Sequence, residues 1–116
     1  MEDRFSQQLK KGVLEMLVLK LICDGPSYGY ELLNRLREQS KLLLQLKEGT
    51  LYPILYRLED EGLITAGWKT GAGRAAPKKI YEATELGREE NLRRQQVWRE
   101  FENSVNVFLS GGREND

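Results

Sequence analysis

The last quarter of the chain sets the tightest limit on the fold. From Thr84 the sequence reads as one helix running to about Leu109, with Thr84 as N-cap, Glu85 in the first turn and Ser110-Gly111-Gly112 as the stop. A helix of about 25 residues extends roughly 37 Å, further than so small a domain can cover. Trp98, Phe101, Val105 and Phe108 step by three, four and three, an a/d seam of about a heptad and a half. That apolar far half needs another surface, and a symmetric second copy is the simplest. Packing of the stripe within one chain is the alternative. The segment from Ser6 to Cys23 is apolar around most of its circumference, so Leu14, Leu17 and Leu21 are expected to share in a homodimer interface.

Composition narrows the chemistry. The 116 residues fit one domain, and 18 Lys+Arg against 18 Asp+Glu leave formal charge zero. Nucleic-acid binding must then come from local patches. There is no histidine and only one cysteine, Cys23, which removes the commonest general base, a His/Cys metal site and an intramolecular disulfide. No catalytic residue, metal or cofactor is expected. No membrane segment and no basic secretory start are read, so a cytoplasmic location is expected.

Before the long helix, Asp24-Gly25-Pro26-Ser27 stops the first helix, and Ser27 reads as N-cap of a second running from Tyr28 to about Gln39, with a Leu32, Leu33, Leu36 stripe. Gly29 on that side would admit a close backbone. Leu42-Leu43-Leu44 with Leu46 is a brief strand or an extended turn. Leu51, Ile54, Leu55 and Leu58 then mark a third helix, closed by Gly62 and Leu63. Either Thr50 caps it and Pro53 lies in the first turn, or it starts near Glu48 and the proline costs one hydrogen bond. Ile64 to Lys69 and Lys79 to Ala83 are strand candidates, with Trp68 packing in the hairpin, joined by a Gly- and Pro-containing link from Thr70 to Lys78.

The third helix turns its leucine stripe inward. Gly49, Thr50, Tyr52, Pro53, Tyr56 and Arg57 are left outward or sideways, a face suited to a major groove and its phosphates. A surface helix with half-buried tyrosines is the competing reading. From Lys69 through Lys79 there are four cations (Lys69, Arg74, Lys78, Lys79) and no acid, a tip suited to the DNA backbone or minor groove. Tyr28, at a helix N-terminus, is a further phosphate contact. Trp98 is either interface core or one wall of a cavity between protomers for a small aromatic or hydrophobic effector. Cys23 reads as a small hydrophobe. Glu59-Asp60-Glu61 diverge by about 100° per residue and do not converge on a metal.

Pro26, Tyr28-Gly29-Tyr30-Glu31-Leu32, Gly49-Thr50-Leu51-Tyr52-Pro53-Ile54-Leu55, Arg57-Leu58-Glu59, Gly62-Leu63-Ile64, Gly73-Arg74, Lys78-Lys79, Tyr81, Thr84-Glu85 and Gly87 together resemble the PadR family of bacterial transcriptional regulators over about residues 9 to 90. The resemblance implies a winged helix-turn-helix that dimerises through its last helix, usually as a repressor. It makes the helix carrying Leu51-Tyr52-Pro53 the recognition helix and the segment with Arg74, Lys78 and Lys79 the wing. The single C-terminal helix resembles the compact branch, in some of whose members a tryptophan at the place of Trp98 faces its mate across a ligand pore. Two places depart from the pattern. Ala75-Ala76-Pro77 interrupts the usual basic run of the wing with Ile80 in place of a tyrosine, and Ala83 stands where leucine is common.

The expected architecture is mainly α: a winged helix-turn-helix over residues 1–83 with a two-stranded wing, a long C-terminal dimerisation helix over 84–110, and a tail over 111–116. The expected partners are double-stranded DNA at a palindromic operator, a second copy of the chain, and a small effector. A winged-helix adaptor without DNA binding is the alternative.

Overall fold

A computed structural model describes residues 4–39, 47–70 and 76–112. The order is α1 (Arg4–Asp24), β1 (Ser27–Tyr28), α2 (Gly29–Gln39), α3 (Glu48–Asp60), β2 (Ile64–Lys69), β3 (Lys78–Ala83) and α4 (Glu85–Leu109). The fold is mainly helical with one small antiparallel sheet, a winged helix-turn-helix. The two-stranded wing gains a third strand, giving the order β1-β3-β2. The leucine run Leu42–Leu44 with Leu46 lies outside the described residues, as do the wing tip with Arg74 and the tail from residue 113.

The core is built from the stripes that the sequence spaces at helical period. Val18, Leu19, Ile22, Leu32, Leu51, Leu55 and Leu58 are essentially sealed from solvent, with Ile64 and Tyr81 closing the sheet side. Leu14 and Leu21, expected to face a second chain, are packed into this core instead, at 5% and 6% exposure, and Leu17 is half-buried against it. The physical reason is that α2, α3, β3 and α4 all pack on α1, so α1 spends its inner faces on its own domain.

Ser27 is not the N-cap of α2. It pairs with Tyr81 in the sheet, is fully buried, and its hydroxyl donates to the Gly25 carbonyl at 3.0 Å. The cap is supplied from the other side: the Tyr28 N–H donates to Glu31 Oε1 at 2.8 Å, the reciprocal half of a capping box. Lys47 rather than Thr50 is the N-cap of α3, in extended conformation and with no side-chain cap bond. Pro53 is therefore the sixth helical residue, past the free first turn, and leaves one intrahelical acceptor without its usual donor.

α3 ends as its sequence dictates. Gly62 takes φ +76°, its N–H donates to the Glu59 carbonyl at 3.0 Å, and the Leu63 N–H donates to the Leu58 carbonyl at 2.9 Å. This is a Schellman closure with Leu63 folded into the core. α4 is stapled to it. Thr84 Oγ1 accepts from the Gly87 N–H at 2.9 Å and donates to the Gly62 carbonyl at 2.7 Å, while the Thr84 N–H donates to the Leu63 carbonyl at 3.0 Å. A β-carbon on Gly87 would fall 1.9 Å from the Leu63 oxygen, so glycine is required where α4 crosses this corner. Cys23 sits half-buried beside the same crossing, its thiol 3.8 Å from the Gly87 carbonyl, and burial pushes its pKa up.

Candidate nucleic-acid interface

α3 presents its polar side as the spacing predicts: Gly49, Thr50, Pro53, Tyr56 and Arg57 are exposed while Leu51, Ile54, Leu55 and Leu58 are buried. Tyr52 departs from that pattern. It is half-buried against the core, with its hydroxyl beside the Gly29 α-carbon; a β-carbon there would meet it at 3.1 Å. The close neighbour that Gly29 admits is thus a side chain and not a backbone, and Tyr52 helps lock α3 to the start of α2.

The wing lysines lie over tyrosine rings. Lys79 Nζ is 5.9 Å from the Tyr56 ring centre and 5.7 Å from that of Tyr81. Lys78 Nζ lies 6.0 Å from the Tyr28 ring and 5.4 Å from Tyr30, and those two rings stack at 5.9 Å with 5° between planes. Each such cation–ring pair contributes about 0.5–1 kcal/mol when exposed, enough to bias where a long lysine points. β3 therefore carries two cations held toward α2 and α3. Tyr81 anchors this corner: burial, more than the neighbouring Tyr52, Glu59 and Tyr56, pushes its phenol up to about 12, so it stays neutral.

Trp68 does not pack into the hairpin; it is 71% exposed. It stands opposite Lys79 in the β2–β3 register, and directly opposed residues share a sheet face. Ile64 begins that face in the core, Ala66 is half-buried, and by Trp68 the strand has run past the end of the domain. Trp68, Lys79 and Tyr56 thus join one aromatic and cationic surface. The alternation of Ile64, Ala66 and Trp68 gave the face correctly but not the distance at which the core runs out.

Arg57 is exposed but not solitary. Its Nε lies 3.3 Å from Glu15 Oε2 on α1. Glu15 also meets Arg94 of α4 at 3.5 Å, and Arg94 reaches Glu61 at 3.2 Å and Glu90 at 2.9 Å. Glu90, gripped first by Arg93 and then by Arg94, has its carboxyl lowered to about 2. The reading of the sequence missed Glu15. The available signal was that it is the one acid between Asp3 and Asp24, flanked by Lys10, Lys11 and Lys20.

The seam residues of α4 stand open on the single chain: Trp98 at 37%, Phe101 at 60%, Val105 at 39% and Phe108 at 85% exposure. Phe5 and Leu9 of α1 are exposed as well, and Leu9 lies beside Trp98 and Phe101. Between the two helices lies an open cleft of about 450 Å³ walled by Leu9, Val13, Met16, Val97, Trp98 and Phe101, with Arg93 and Arg94 also in its wall. Among the described residues no acidic, Cys or His cluster suits a metal ion, and no helix is long and apolar enough to cross a membrane.

Residues 18–93 match the model of the Transcriptional regulator PadR-like family, which spans most of the chain. The chain belongs to the PadR family. It is 33% identical over 78 residues to the negative transcriptional regulator PadR of Bacillus subtilis, covering 67% of this chain and 42% of that one. A transcriptional regulator of Mycobacterium tuberculosis is 29% identical over 82 residues, 71% of this chain and 72% of the other. Among solved structures, a PadR family regulator from Eggerthella lenta superposes with TM-score 0.79 at 31% identity, covering 89% of this chain and 87% of that chain. A PadR-like regulator from Bacillus cereus gives 0.74 at 33%, covering 88% and 96%. The chain is accordingly a DNA-binding transcriptional regulator of this family and not an enzyme.

Proposed function

We propose that this PadR-family chain acts as a homodimeric repressor that binds a palindromic operator and is released by a small aromatic or hydrophobic effector. The observation that carries the dimer is the run of exposed Trp98, Phe101, Val105 and Phe108 on α4, with exposed Leu9 of α1 beside Trp98 and Phe101. Contiguous apolar surface of that kind on a soluble domain is costly in water and marks an interface. In this reading α3 enters the major groove with Gly49, Thr50, Pro53 and Tyr56. Tyr52 acts from behind by fixing the helix, and Arg57 reaches a nearby phosphate. Lys78 and Lys79, with Arg74 toward the tip, meet the backbone beside the groove, and Tyr28 holds a phosphate at the start of α2.

Two further points support the reading. The Bacillus subtilis relative carries the name of a negative regulator. The cleft beside Trp98 is apolar and offers a stacking surface for a planar ligand. The reading places the interface on α4 with the outer side of α1, and leaves Leu14 and Leu21 to the core, with Leu17 flanking it. Phe101→Asp tests it: sedimentation of the variant should give monomers, and a duplex carrying the protein's own promoter should lose its mobility shift. A variant that stays dimeric and still shifts the duplex removes the proposed interface.

A further inference from the structure

Arg57 is the one cation of α3, and it is already engaged. Its partner Glu15 sits on α1 with only 18% of its side chain exposed, and serves two arginines at once: Arg57 on α3 at 3.3 Å and Arg94 on α4 at 3.5 Å. The two arginines differ. Arg94 is 19% exposed and has two further carboxylates, Glu61 and Glu90, while Arg57 is 55% exposed and, among the described residues, has this ion pair alone. A buried-side carboxylate fixed by the better-held arginine is a stationary point to which the looser one returns.

We propose that Glu15 is a positioning residue for DNA binding: it parks Arg57 over α1, and Arg94 governs how strongly, so that the state of α4 is passed to α3 through one shared carboxylate. This rests on the reading of α3 as the DNA-reading helix. While Arg94 holds Glu15, part of the carboxylate's charge is already matched, and an ion pair whose arginine end is open to solvent is weak enough for a phosphate to displace. If Arg94 is drawn away, Glu15 turns wholly to Arg57 and competes with DNA. Arg94 also walls the cleft beside Trp98, so anything that repacks α4 against α1 there acts on the link. The link is short because α1, which carries Glu15, packs against both α3 and α4.

The test is a set of double-mutant cycles on the full chain, read by fluorescence anisotropy of a labelled duplex carrying the protein's own promoter. Glu15→Gln should tighten binding about two- to five-fold, and should do nothing in an Arg57→Ala background. Arg94→Gln should weaken binding by a similar factor, and should do nothing once Glu15 is Gln. Removal of charge as such would shift affinity equally in both backgrounds, and that result overturns the proposal. A second readout needs no DNA: the Arg57 Nε–H resonance, identified by its loss in Arg57→Lys, should move in Glu15→Gln and in Arg94→Gln. A resonance indifferent to both overturns the link itself. A wild-type chain that ignores the duplex at low salt, while the resonance responds, overturns the DNA reading and this inference with it. Binding without coupling overturns the inference alone.

Discussion

Replacing Gly87 by alanine sets two known effects against each other, and the geometry decides the sign. In a helix interior alanine is favoured over glycine by about 1 kcal/mol. Here the added carbon would sit 1.9 Å from the Leu63 carbonyl oxygen and 2.9 Å from its carbon, both backbone atoms of the α3 closure. Relief requires α4 to back away by more than an ångström. That movement breaks the Thr84 N–H bond to the same Leu63 carbonyl, now 3.0 Å, and stretches the Thr84 hydroxyl bond to Gly62, now 2.7 Å. Two hydrogen bonds at about 1 kcal/mol each, with overpacking of about 1–3 kcal/mol, outweigh the propensity gain and leave a net loss of about 2–4 kcal/mol. Urea unfolding at fixed protein concentration reads this as a lower midpoint with unchanged slope. Gly49→Ala is the control: no atom lies within 4 Å of its added carbon, so stability should hold or rise slightly. A Gly87→Ala protein as stable as wild type refutes the account of this corner.

Lys78→Ala with Lys79→Ala should lower the slope of log affinity against log salt by about 1.8, at about 0.9 per lost phosphate contact, measured by anisotropy on the own-promoter duplex. The carboxyl of Glu90 falls from an ordinary 4.5 to about 2 on folding, so its stabilising contribution is present above about pH 4.5 and drains away as pH falls toward 2. Unfolding curves of Glu90→Gln across that range should lose this part of the acid sensitivity. Trp68→Phe should leave the unfolding free energy from urea titration within about 0.5 kcal/mol of wild type, because Trp68 is exposed; a loss of core-substitution size in the same titration would contradict its placement.

Much of the fold was legible because helical period carries it. Leu51, Ile54, Leu55 and Leu58 fall on one face at that spacing and all four are buried, and Thr84, Gly62 and Leu63 announce their caps by residue type. What was not legible depends on long-range partners. Ser27 has the composition of a helix cap, but a strand 54 positions away claims it, with Tyr81 opposite. Leu14 and Leu21 are as apolar as any interface residue; only the way the other elements wrap α1 decides which of its faces remains open. Tyr52 and Tyr56 look alike on a helical wheel, and the absent side chain of Gly29 draws one of them in. The ion pairs of Glu15 link α1 to α3 and α4 across 42 and 79 positions, a distance at which no local pattern speaks.

The central claim is that two copies, joined through α4, set two α3 helices into successive major grooves of one duplex face. Hydroxyl-radical footprinting of the wild-type chain on its own promoter measures this directly. The account predicts two protected patches related by a two-fold axis, with centres about one helical turn, or roughly 10 base pairs, apart. A single patch, or protection without that symmetry, contradicts it.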